Sequence, residues 1–325
     1  MMKNIAIITG GDSSEIVISL RSAEQVRSCL DKNKYESYIV FIQEDDWHVD
    51  QPDGKKIRIN RHDFSFMRDG KKIEFDFAFF AMHGPPGEDG KLQAYLDLLH
   101  IPYSTSGVLS LALTFNKYST KMFLSQFGIK TAKSILLKRG TTLSSQEIKA
   151  KLGLPCFIKP NCGGSSFGVS KISQADELQE AIQSALNEDD QVLVEEFIYG
   201  PELTCGLIKL SDQKLIFPVT EIISKKEFFD YEAKYTEGMA DEITPARIPD
   251  KLAEKCQNLA SQIYDLVNCK GIVRIDFINH KEELYFLELN GIPGMTAESI
   301  VPKMIRAYGM TEQEVYQKMI EDFLG

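Results

Sequence analysis

The chain opens with an apolar strand, Asn4–Thr9, that runs through Gly10-Gly11 into an amphipathic helix from about Ser14 to Leu30 and then into a second strand at Ser37–Ile42. Two strands joined through a helix run in the same direction, so this start commits the first part of the chain to a parallel α/β architecture. The apolar run Phe75–Ala81 fits such a sheet, because a strand covered on both faces has no wet side. Gly84-Pro85-Pro86-Gly87 punctuates its end. Residues 1–115 are expected to form one open α/β domain.

A length of 325 residues exceeds one ordinary core and points to two or three domains. After a predicted helix at Ser110–Phe127, short strands at Ser134–Leu137, Cys156–Lys159, Gly168–Lys171 and Val192–Glu196 alternate with helical stretches at Ser144–Lys151 and Ala175–Asn187. This is a small mixed α+β unit, taken as residues 116–199. Beyond Gly200-Pro201 the strands Glu202–Leu210, Lys214–Ile223, Gly271–Asn279 and Glu283–Asn290 alternate apolar and polar residues, as antiparallel strands with one wet face do. Residues 200–325 thus form a third unit. Inside it, residues 224–248 have no period of their own and read either as a lid or as an irregular loop.

Lys and Arg total 37 against 47 Asp and Glu, a net charge of −10, which disfavours a nucleic acid or an anionic membrane as partner. Small anions in a focused pocket remain allowed. No apolar run reaches the roughly 20 residues of a membrane span, and a strand begins almost at the first methionine, so no signal peptide is expected. The six cysteines show neither a C-x-x-C pair nor a histidine companion, which points to a reducing cytoplasm rather than to zinc or disulfides.

The strongest chemical feature is Arg274-Ile-Asp276 on one strand and Glu288-Leu-Asn290 on the next. Strand periodicity puts both polar side chains of each pair on one face. If the strands are hairpin partners, Asp276, Glu288 and Asn290 converge as oxygen donors suited to Mg²⁺ held against phosphates, with Arg274 beside them; otherwise they are the solvent face of a sheet. Lys159 ends a strand and leads into Gly163-Gly164-Ser165-Ser166, a loop that offers an ammonium and backbone N–H groups to phosphates, or forms a simple glycine-rich hairpin. The spacings of a Walker A loop and of a dinucleotide fingerprint are absent. Val192–Ile198 followed by Gly200-Pro201 reads as a strand entering a hinge whose backbone can bond an adenine edge. Glu15, after the glycine turn, either caps a helix or binds a ligand, and His83 is either a satisfied core histidine or a substrate contact.

Taken together, these segments resemble the D-alanine:D-alanine ligase family of the ATP-grasp superfamily. The resemblance runs from Lys3 to about Leu324 and is carried by Gly10-Gly11 with Glu15, His83-Gly84 with Gly87-Glu88-Asp89-Gly90, Phe228 with Tyr231, Lys234 and Tyr235, and Asn290 with Pro293-Gly294 and Ser299. It implies an N-terminal open parallel α/β domain followed by a two-subdomain ATP-grasp fold, with residues 224–248 as the lid. It also implies ATP-dependent joining of two D-alanine molecules through an acyl phosphate, for peptidoglycan precursors. By this resemblance Lys117, Lys159, Ser165, Ser166 and Lys234 meet the ATP phosphates, Glu195 and Ile198 meet adenine, and Glu202 meets the ribose. Asp276, Glu288 and Asn290 hold two Mg²⁺ ions, for which Mn²⁺ can substitute. Glu15, linked through Ser165 to Tyr235, and His83 contact the first substrate; Lys234 and Ser299 hold the second; Arg274 and the Gly294 N–H stabilise the tetrahedral adduct. A homodimer is expected on the same ground. The alternatives are another ATP-grasp carboxylate–amine ligase or a non-catalytic ATP-binding protein. Gly291-Ile292 and Cys162-Gly163 depart from the family pattern, and Cys162 would make the phosphate loop oxidant-sensitive if its thiolate were stabilised there.

Overall fold

A computed structural model of the chain describes residues 2–13, 15–51, 54–141, 143–164, 167–224 and 240–325. Its first part comprises β1 (Lys3–Gly10), α1 (Ile16–Cys29), β2 (Tyr35–Gln43), β3 (Asp46–Asp50), β4 (Lys56–Arg58), the small hairpin β5 (Phe66–Arg68) and β6 (Lys71–Ile73), β7 (Phe77–Phe80), α2 (Lys91–Leu98), α3 (Val108–Phe115) and α4 (Lys117–Ser125). The main sheet runs β4-β3-β2-β1-β7. β1 is parallel to both β2 and β7, whereas β3 and β4 add an antiparallel edge through tight connections. The predicted helix Ser110–Phe127 is two helices. Asn116 is extended (φ −89°, ψ 99°) and its side chain accepts from the Ser119 N–H at 2.9 Å, ending α3 and capping α4.

The second part holds β8 (Ser134–Lys138), α5 (Ser145–Leu152), β9 (Cys156–Pro160), β10 (Ser170–Ile172), α6 (Leu178–Glu188) and β11 (Gln191–Glu196), with an antiparallel sheet ordered β10-β9-β11-β8. A capping box between Ser144 and Glu147 starts α5. The third part contains β12 (Glu202–Lys209), β13 (Lys214–Ile216), β14 (Thr220–Ser224), β15 (Ala240–Ile243), α7 (Asp250–Leu266), β16 (Val273–His280), β17 (Glu283–Asn290), α8 (Ile300–Ala307) and α9 (Glu312–Leu324). The single strand predicted at Lys214–Ile223 is split into β13 and β14, which share one edge of β12. Pro218 sits at the break, where a residue without an N–H cannot continue a ladder. The end of the segment predicted to lack a period forms β15, paired to β14; residues 225–239, with Lys234 and Tyr235, lie outside the described residues.

Both faces of the first sheet are covered, as its apolar strands require. On one face Ala6, Ile8, Phe80 and Met82 pack with Leu92 and Leu96 of α2. On the other, Ile5, Ile7, Phe77 and Phe79 pack with α1 and with Ile300, Met304, Tyr316 and Met319 of the two C-terminal helices. The chain's last helices therefore close the core of its first sheet. That packing brings the loop into α8 against α1, where the Met295 N–H donates to Ser22 Oγ.

Gly10 makes that turn feasible: its φ is +99°, and a Cβ there would lie 2.3 Å from the Ile42 carbonyl oxygen. Replacing Gly10 with Ala should destabilise the fold by about 2 kcal/mol or more. Chemical denaturation reads the effect; an unchanged midpoint would show that the turn absorbs the methyl group.

Candidate functional site

A cleft of about 1080 Å³ lies between the three parts, and most of the residues singled out from the sequence that are described line it. Its floor is the β16–β17 hairpin, where the register pairs Arg274 with Asn290 and Asp276 with Glu288. The four polar side chains thus converge. Asp276 is 1% exposed, so this is no solvent face. Its carboxylate accepts from Arg274 Nε and Nη2 at 2.9 and 2.8 Å, from Asn290 Nδ2 at 3.0 Å and from Thr204 Oγ1. With its amide nitrogen on Asp276, Asn290 has its carbonyl oxygen left for a cation. Burial works against the Arg274 charge, but the ion pair with Asp276 outweighs it and holds the guanidinium protonated above its ordinary range.

The opposite wall comes from the second part and from α4. Lys159, predicted at the head of a phosphate loop or as a surface lysine, is buried and bonds Glu195 at 2.6 Å. The second oxygen of Glu195 is taken by Lys121. Burial pushes the Glu195 carboxyl upward, but the two ammonium groups prevail and its pKa is lowered. Burial lowers Lys121 to about 8 despite the attraction of Glu195. Lys121 escaped the sequence reading; the signal available was its spacing of one helical turn from Lys117 on α4. Lys117 itself, the first residue of α4, donates to the Gly163 carbonyl at 2.6 Å and lies 3.6 Å from Glu288, joining the loop to the hairpin. Ile198 and Glu202 line the same end of the cleft, with Phe157 and Phe197 nearby. Ser165 and Ser166 lie outside the described residues.

At the other end, Glu15 precedes α1 but makes no side-chain cap bond. Its carboxylate is buried and faces Gly164, where a Cβ would approach Oε2 to 2.6 Å; only glycine lets the loop come so near. His83 is 6% exposed, and among the described residues its Nε2 has no hydrogen-bond partner. Burial lowers its pKa against the pull of Glu15, so the ring is neutral and presents an unfilled polar atom to the cleft. Glu88, which the sequence marks only as a motif residue, places a second carboxyl in this corner: Oε2 accepts from the Gly84 N–H at 2.8 Å. Burial and the Glu15 charge raise its pKa to about 8. Gly294 and Ser299 stand side by side on the lining, and Ser299 Oγ bonds Thr296 Oγ1 at 2.7 Å. The condition for an oxidant-sensitive Cys162 is not met: burial and Asp189 push its thiol up to about 11.

A lysine-bearing α+β unit facing a carboxylate hairpin on a second unit, behind an N-terminal α/β domain, is the ATP-grasp architecture. Residues 4–106 match the family model described as D-ala D-ala ligase N-terminus, and residues 123–321 match that described as D-ala D-ala ligase C-terminus. The chain is 50% identical over 323 residues to the D-alanine--D-alanine ligase of Phocaeicola vulgatus, covering 99% of both chains. Among solved structures it is similar to the VanG D-Ala:D-Ser ligase of Enterococcus faecalis, with a TM-score of 0.87, 32% identity and coverage of 99% and 100% of the two chains. It is also similar to the Bacillus anthracis D-alanine--D-alanine ligase complexed with ATP, with a TM-score of 0.78, 29% identity and coverage of 99% and 97%. The chain belongs to the D-alanine–D-alanine ligase family.

Glu88 gives the site a measurable signature. An ordinary carboxyl titrates near 4.5 and this one near 8, so between those values the folded chain holds a proton that the unfolded chain has lost. Stability contributed here therefore falls as pH rises through that window. Glu88→Gln removes the dependence: the variant's melting temperature should gain on the wild type from pH 5 to 8. A difference that stays constant across that range would mean Glu88 ionises normally.

Proposed function

We propose that this chain joins two D-alanine molecules with ATP, forming D-alanyl-D-alanine, ADP and phosphate for peptidoglycan precursors. The observation that carries the reading is the convergence, in one cleft, of Arg274, Glu288 and Asn290 of the hairpin, backed by the buried Asp276, with Lys117 and Lys159. The first D-alanine binds with its ammonium between Glu15 and the neutral His83. Its carboxylate attacks the γ-phosphorus of ATP and ADP leaves, giving an acyl phosphate. The amino group of the second D-alanine, having lost a proton, attacks the acyl carbon. Arg274 and the Gly294 N–H hold the developing oxyanion, and phosphate leaves as the peptide bond forms. Lys117, Lys159 and Lys234 bind phosphate oxygens with Ser165 and Ser166 from the loop. Glu195 and Ile198 border the adenine, and Glu202 the ribose. Ser299 and Lys234 receive the second carboxylate, and Tyr235 connects to Glu15 through Ser165.

The donor set suits Mg²⁺. Asp276, Glu288 and the Asn290 carbonyl are hard oxygen donors, and among the described residues no cluster of three or more His, Cys, Asp or Glu offers a competing site. These three residues would hold two ions, which when bound neutralise phosphate charge. All six cysteines are free thiols, and among the described residues no helix is long and apolar enough to cross a membrane; both facts support work in the cytoplasm. Leu98 and Leu109 on the packed helices α2 and α3, each 81% exposed, support a homodimer that covers them.

Phosphate release from Mg²⁺ and ATP with D-alanine, against L-alanine, glycine and D-serine, tests the reaction. D-Alanine should be the preferred substrate; no release with any of them would exclude the ligase reading. Glu288→Gln keeps size while removing one metal-facing charge, and turnover should fall roughly 10²-fold with the fold intact. Near-normal turnover at saturating Mg²⁺ would reduce the hairpin to a structural element.

A further inference from the structure

Lys121 stands in the second turn of α4 with its side chain 2% exposed, and its ion-pair partner is a carboxylate that a second lysine also binds. Keeping an ammonium in such a place costs more desolvation free energy than one shared ion pair returns, and an apolar side chain would fill the space at lower cost. The charge count suggests what it does. Glu195 with Lys159 alone is a closed, neutral pair; with Lys121 added, the buried triad carries one net positive charge at the wall of the cleft. The two ammonium groups also bind different oxygens, Lys121 on Oε1 and Lys159 on Oε2, so neither can take both.

We infer that Lys121 is a positioning residue for the nucleotide phosphates: by occupying one oxygen of Glu195 it leaves the charge of Lys159 uncompensated and its ammonium directed to the phosphate chain. This rests on the reading of the cleft as an ATP site. Lys159 has three N–H donors and gives one to Glu195, so donors remain for phosphate oxygens. One net buried charge near a polyanion acts more strongly the more phosphates the ligand carries. The effect is therefore graded by ligand charge, which distinguishes it from a purely structural role.

Calorimetric titration of adenosine, ADP and ATP, each with excess Mg²⁺, into wild type, Lys121→Met and the double variant Lys121→Met with Glu195→Gln tests it. Lys121→Met should weaken ATP by roughly tenfold or more and ADP by less, and leave adenosine within about twofold. Measured relative to adenosine, which meets Glu195 in the same way, the double variant should recover most of the ATP affinity, because removing the carboxylate charge frees Lys159 again. Equal losses for adenosine and ATP, or a double variant no better than the single one, would overturn the inference. Lys121→Gln keeps a donor to Glu195 without the charge and should give the same graded loss, so the test survives if the methionine variant folds poorly. Wild-type protein that bound none of the three ligands would overturn the nucleotide reading itself, whereas wild-type binding of ATP with no graded loss in either single variant would overturn only the role of Lys121.

Discussion

The whole cleft depends on pairing charges that water cannot reach. Asp276, Glu195, Lys121 and Lys159 are all buried, and an isolated buried charge is far too costly to retain. Each survives because a counter-charge is placed beside it: β16 itself carries Arg274 two residues before Asp276, while β9 and α4 supply both lysines to Glu195 on β11. Lys117 and Glu288 join the two halves. Across the cleft, cations and carboxylates bind each other. Under the proposed reading the same groups would exchange these partners for phosphate oxygens and ions.

That organisation follows from where the three sheets meet. The carboxylate hairpin belongs to the third part, but the loop beyond it is fixed by α8 and α9, which pack against the first sheet. Ser22 on α1 accepts from the Met295 N–H at 3.4 Å, and Ser106 and Lys270 exchange bonds of 2.9 and 3.0 Å. The end of the cleft with Glu15, His83 and Glu88 is thereby tied to the β16–β17 hairpin. The wall with Lys159 is tied to the rest through α4 and the Lys117–Gly163 bond, and its sheet has a separate core of its own. Two carboxyl groups meet at that end: Glu15 turns to the loop, while burial and the Glu15 charge push the Glu88 carboxyl up to about 8.

Much of this was legible in the sequence, and each success has a local cause. Period-2 alternation put Asp276 with Arg274 and Glu288 with Asn290 on shared strand faces, and the hairpin register then had few ways to align them. Apolar strands announced a sheet with two covered faces. The failures are local conflicts of another kind. Asn116 interrupts an apolar helical period because its side chain caps the next turn, and Pro218 interrupts an alternating strand because it has no N–H. Lys121 and Glu88 escaped because a polar residue in a helix or loop carries no mark of the surroundings it will be buried in.

The sequence by itself determined the order and type of the elements, the turns that separate them, and which side chains each element offers on a given face, since these depend on neighbours a few residues away. Only the tertiary structure decided which offers meet. Lys121 and Glu195 are 74 residues apart, and Met295 finds Ser22 across 273. The protonation of Glu88, the neutrality of His83 and the burial of the lysine pair are likewise set by desolvation and by charges brought from distant strands. The physical reason is one of range: backbone conformation is governed by sterics and hydrogen bonds within a turn, whereas the electrostatic state of a side chain is governed by everything packed around it.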